Sequence, residues 1–137
     1  MPDEPESLVA SRDGRSVAVI CGRQVRADDG LEVAALGTCQ EFRDGRPFAE
    51  SLSEVLDSGA IAVIPWGFGK WTGQRGRLVD EAMMRSNGTG VFLGDSGSRA
   101  GLLGEPRLIR RGRQRGVRVL AGTDPFPFGE DYRGVGG

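Results

Sequence analysis

Ala60-Ile61-Ala62-Val63-Ile64-Pro65-Trp66-Gly67-Phe68-Gly69-Lys70-Trp71-Thr72 begins with five uninterrupted apolar residues and passes through a proline and two glycines. An apolar run of that length suits a strand covered on both faces. Pro65, Gly67 and Gly69 end it as a loop. Thr72 is placed to cap a helix carrying Leu78, Val79, Ala82 and Met83 on one side. A strand handed to a helix through a short loop is the front half of a parallel βαβ unit.

The same alternation extends in both directions. Downstream, Val91-Phe92-Leu93 reads as a strand, Pro106 opens a helix with Leu108 and Ile109, and Val117 to Ala121 is a closing strand. Upstream, Pro47 opens a helix with Phe48, Leu52, Val55 and Leu56 on one face, closed by Gly59. Before it, Val17 to Cys21 reads as a buried strand ended by Gly22, and Leu31 to Gly37 as a second strand after the turn Asp28-Asp29-Gly30. The predicted order is β-β-α-β-α-β-α-β, an α/β chain with parallel pairing and right-handed crossovers. Residues 1–15, acidic and proline-containing at the start, read as a flexible lead-in, and residues 16–137 as a single α/β domain. A full eight-stranded barrel needs about 250 residues. A chain of 137 therefore holds part of a TIM-like barrel or an open sheet.

Composition removes several chemistries. The chain has no histidine, so it supplies no Ser–His–Asp triad, imidazole base or His-ligated metal. Its 18 basic and 19 acidic residues nearly cancel, against a nucleic-acid binder driven by bulk charge. Apolar runs are too short to span a bilayer, which predicts no membrane partner. Cys21 and Cys39 form neither CxxC nor a disulfide framework and read as small core residues of a reduced, cytoplasmic protein.

Unusual residues collect where the predicted strands exit, the end at which α/β proteins place their sites. Gly67, Gly69, Lys70 and Arg75 precede or open a helix, whose positive dipole end would face the loop, with Arg99 in the next strand's exit. Together they predict an anion-binding mouth for phosphate or carboxylate, distinct in spacing from a Walker loop. The alternative is that Trp66, Phe68 and Trp71 cap the core and Lys70 is solvated. Asp95 and Asp124 each follow a strand and a glycine. They read either as ligands to Mg²⁺ or Mn²⁺ and acid–base groups, with Lys70 stabilising charge, or as turn and cap residues. Arg107, Arg111 and Arg115 stand four apart on the third helix and read as a solvated face.

Gly22-Arg23-Gln24-Val25, with Asp29-Gly30-Leu31-Glu32-Val33 and Leu36-Gly37, resembles the strand pair of the polymerase and histidinol phosphatase (PHP) domain. Leu120-Ala121-Gly122-Thr123-Asp124-Pro125-Phe126 is similar to that family's closing Gly-Ser/Thr-Asp-x-His strand and to a Gly-Thr-Asp of the related amidohydrolases. The resemblance covers about Ser16 to Phe128 and implies a partial barrel of the (β/α)₇ type with a metal-dependent phosphoesterase site. It also implies departures: Gln24 stands where a metal-binding Glu is expected, Phe126 where a His is expected, and the opening His-x-His has no counterpart. Only Asp124 matches as a ligand. Three readings follow: a degenerate PHP-like or amidohydrolase-like domain that binds a small anionic ligand, an Mg/Mn-dependent hydrolase, or a subunit completed by a barrel-completing chain or a second copy.

Overall fold

A computed structural model of the chain describes residues 7–86, 89–95 and 104–122. The chain divides into two compact units, Met1–Ala62 and Val63–Gly137.

The first unit opens with β1 (Ser7–Arg12) and β2 (Arg15–Ile20), an antiparallel hairpin whose register pairs Arg12 with Arg15. Its two-residue tip is Asp13-Gly14, both at positive φ (52° and 76°). Asp-Gly is a favoured pair for the tight turn whose twist matches the flanking strands. Every residue of β2 is exposed. A second antiparallel hairpin follows, β3 (Gly22–Arg26) with β4 (Glu32–Leu36). Its turn forms at the predicted Asp28-Asp29-Gly30: Leu31 N–H donates to Asp29 Oδ1 at 2.8 Å, and Gly30 takes φ +84°. The helix α1 (Phe48–Asp57) buries Phe48, Ser51, Leu52 and Val55, one stripe at helical spacing, and packs on β3 and β4. With Val25, Leu31, Val33 and Ala35 these residues form the unit's core.

The second unit carries the βα repeat: β5 (Ile61–Pro65, entering from the first unit), α2 (Gly73–Arg85), β6 (Val91–Asp95), α3 (Arg107–Gln114) and β7 (Val119–Ala121). β6 and β7 are parallel, pairing Leu93 with Val119 and Asp95 with Ala121. Its core joins Val63 and Ile64, Val79 and Met83 of α2, Val91 and Leu93, and Ile109 of α3. Gly94 permits a close approach of strands: a Cβ there would stand 3.2 Å from Val63 Cγ1 and 3.3 Å from Pro65 Cα. Gly112 does the same for α3, lying against Leu93 and Met83.

Three sequence expectations are corrected. The parallel, partial TIM-like barrel is absent: a two-stranded sheet, β1-β2, accompanies a mixed five-stranded sheet in the order β3-β4-β5-β6-β7, which does not close among the described residues. The chain's order is β-β-β-β-α-β-α-β-α-β and not β-β-α-β-α-β-α-β, and the first strand of the five-stranded sheet is β3 and not Val17–Cys21. That apolar run lies in the separate, exposed hairpin, and Ser7–Arg12, inside the stretch read as a lead-in, is its other strand. Finally, Cys21 and Cys39 are joined in a disulfide with Cα atoms 5.8 Å apart. Antiparallel pairing of Gly22 with Leu36 brings the two flanking cysteines together, and Gly37 N–H donates to Cys21 O at 2.8 Å. The reading of two reduced core thiols, on which the cytoplasmic assignment leaned, therefore loses its basis. Among the described residues no helix is long and apolar enough to cross a membrane.

Candidate functional site

The exits of β5, β6 and β7 meet at one rim of the second unit. Trp66 N–H donates to Gly94 O at 2.8 Å, and Gly122 N–H donates to Asp95 O at 2.8 Å. Trp66 and Asp95 thus share an end of the sheet, as the strand order predicts. Asp124 and Arg99 lie outside the described residues.

The glycine-rich loop after β5 is closed on itself. Arg75 Nη2 donates to Gly69 O at 3.1 Å, and Thr72 Oγ1 donates to the same carbonyl at 3.0 Å. Lys70 N–H donates to Gly67 O at 3.0 Å. The Lys70 stem crosses Gly67, its Cδ 2.7 Å from where a Cβ at Gly67 would stand. Gly69, at φ +72°, supplies the left-handed turn. Gly67, Gly69, Lys70 and Arg75 are therefore together, but Arg75 acts as a strap on the loop. Phe68 is 84% exposed, whereas Trp71 is buried and its indole N–H has no acceptor.

Next to this loop, between the first turns of α2 and α3, is a cleft of about 330 Å³. Gly73, Gly76, Arg77 and Asp80 of α2 form one wall, and Pro106, Arg107, Leu108 and Arg111 form the other. Trp66 and Trp71 complete it. Gly76 lets the backbone at Trp71 lie close against α2, since a Cβ there would stand 2.7 Å from Trp71 O.

The electrostatics of the cleft are one-sided. The first amides of a helix lack intrahelical acceptors and carry its positive dipole end. At neither α2 nor α3 does a side chain cap them: the Thr72 hydroxyl turns back to Gly69 O, and Pro106 has no acceptor side chain. Neither helix has an acid in its first turn, whereas α1 has Glu50. Arg107 instead occupies the first residue of α3, a cation at the positive end of a helix. Among the described residues the one lining carboxylate, Asp80, accepts from Arg111 at 2.9 Å and from Arg115 at 2.7 Å. Among the described residues no acid pairs with Arg77 or Arg107.

The arginine stripe of the third helix is thus a correction as well. Arg111 and Arg115 bind Asp80 of α2 across the helix contact and are not simply solvated. The sequence reading missed Arg77 and Asp80 and set Arg107 on a solvated face; the detectable signal was two helices without acid in their first turns. Among the described residues, which do not include Asp124, no three His, Cys, Asp or Glu side chains converge to hold a metal ion. Of the residues behind the PHP resemblance, Gln24 is exposed in the middle of β3, and Asp124 and Phe126 lie outside the described residues. No family model, curated protein or solved structure matches the chain.

Proposed function

We propose that the chain is an anion-binding protein whose site is the cleft between the first turns of α2 and α3. The group bound is the phosphate or carboxylate of a small molecule. The observation that carries this reading is Arg107 at the first position of α3, facing Arg77 across a cleft with no unpaired acid among its described walls. A cation at that helix end opposes the dipole by about 0.3–1 kcal/mol, and a bound anion reverses the sign. Uncapped amides and a guanidinium together are a common way to hold a phosphate.

Titration calorimetry with inorganic phosphate tests the reading. Wild-type protein is expected to bind, and Arg77→Ala or Arg107→Ala to weaken binding about tenfold, as loss of a charge-assisted hydrogen bond does. Lys70→Ala is expected to change it little. Unaltered binding in both arginine variants would remove the cleft, and a selective loss in Lys70→Ala would move the site to the glycine loop.

A second reading, association with another chain, is favoured by the β1–β2 ribbon, which leaves Leu8, Val9, Val17, Val19 and Ile20 exposed. Isolated two-stranded ribbons are marginal in water. Sedimentation equilibrium decides it: a dimer lost on Val17→Thr with Val19→Thr supports association, and a wild-type monomer removes self-association.

A further inference from the structure

The cleft combines charge with apolar surface. Arg77 and Arg107 supply charge, while Trp66, Trp71, Pro106 and Leu108 supply apolar surface within the same cavity. A bare inorganic anion would leave that surface wetted and unused. Two indoles beside a proline and a leucine form the kind of wall on which a flat ring packs, with aromatic contacts adding about 0.5–1.5 kcal/mol beyond area burial. The volume of about 330 Å³ is at the small end of ligand cavities, enough for one ring and its charged group.

We infer that the cleft takes an aryl anion, a single planar ring joined directly or through one ester oxygen to a phosphate or carboxylate. The anion sits at Arg77, Arg107 and the uncapped helix amides, and the ring lies against Trp66 and Leu108. This inference rests on the anion-binding reading above and adds the body of the ligand to its head. Trp66 is half-buried and leaves the end of β5, so its backbone is fixed by the bond to Gly94 O while its ring remains part of the cleft wall. Leu108 stands in the first turn of α3, one residue beyond Arg107, which places ring and anion contacts on adjacent positions.

The test compares matched probes by calorimetry on the full chain: phenyl phosphate against methyl phosphate, and benzoate against acetate. Within at least one pair the ring-bearing probe is expected to bind about tenfold more tightly, from burial of part of one ring. Trp66→Leu is expected to shrink that ratio towards unity while leaving methyl phosphate or acetate binding in place. Should Trp66→Leu not fold, Leu108→Ala carries the same comparison. The two pairs tell phosphate from carboxylate. Equal binding within both pairs would overturn the aryl inference and leave the anion reading standing. A ring preference that survives both Trp66→Leu and Leu108→Ala would overturn it too, since the ring would then sit elsewhere. Absence of binding by all four probes would overturn the anion reading, and this inference with it.

Discussion

Arg111 of α3 and Asp80 of α2 are joined by a hydrogen bond of 2.9 Å from Nη1 to Oδ2, with Arg115 holding the other carboxylate oxygen at 2.7 Å. This clamp joins the two helices and occupies the acid among the cleft's described walls, so the cationic character of Arg77 and Arg107 persists there.

Asp80→Ala is expected to lower unfolding free energy by about 1 kcal/mol, the scale of a partly exposed ion-pair network. Phosphate binding should weaken along with it, because the helix ends lose their spacing. Urea denaturation of Asp80→Ala, Arg111→Ala and the double variant reads the coupling directly. Additive losses would mean that Asp80 and Arg111 are not energetically coupled.

Gly112→Ala decides between two opposing effects. Alanine favours a helix over glycine by about 1 kcal/mol. The added Cβ, however, would stand 2.6 Å from Leu93 Cδ1 and 3.0 Å from Met83 Sδ, both buried in the core. Overpacking costs typically 1–3 kcal/mol. A net destabilisation of about 1 kcal/mol is expected in thermal unfolding, and a stabilised variant would show that α3 packs less closely than described.

Those packing distances lie beyond what residue order reveals, yet much of the architecture was legible. Apolar runs from Ile61, Val91 and Val117 and helix openings at Pro47, Thr72 and Pro106 fall on β5, β6, β7 and the three helices, the last strand starting two residues later than read, because local periodicity and turn chemistry agree there. The first strand was misplaced for a physical reason. Val17-Ala18-Val19-Ile20 has the composition of a buried strand, but burial is a tertiary property, and this ribbon lies outside the five-stranded sheet. The Asp13-Gly14 turn was the available clue. Parallel and antiparallel pairing also could not be told from the runs alone. Within the candidate site, the rim was legible from the strand exits, whereas Arg77, Asp80 and Arg107 became a site only when two helix starts were brought side by side.

That difference between apolar composition and burial has a measurable consequence. Val19→Thr, on the exposed face of the ribbon, is expected to change stability by less than about 0.5 kcal/mol. Val33→Thr, fully buried in β4, should cost about 1–3 kcal/mol because its hydroxyl enters the core. Equal losses in chemical denaturation would place Val19 in a core after all.

Reduction of the Cys21–Cys39 bond, 18 residues apart, removes a constraint on the unfolded chain worth about 3 kcal/mol in the loop-entropy model. The melting temperature should fall on adding dithiothreitol and match that of Cys21→Ser with Cys39→Ser. Two reactive thiols in the untreated, denatured protein would contradict the bond.

Amide mapping by NMR during a titration with inorganic phosphate tests the central claim most directly, because the first-turn N–H groups are themselves the proposed donors. Saturable shifts at Gly73, Gln74, Arg107 and Leu108, displaced together to about tenfold higher phosphate in Arg107→Ala, are the predicted result. Shifts confined to Gly67–Lys70, or none at any phosphate concentration, would contradict it.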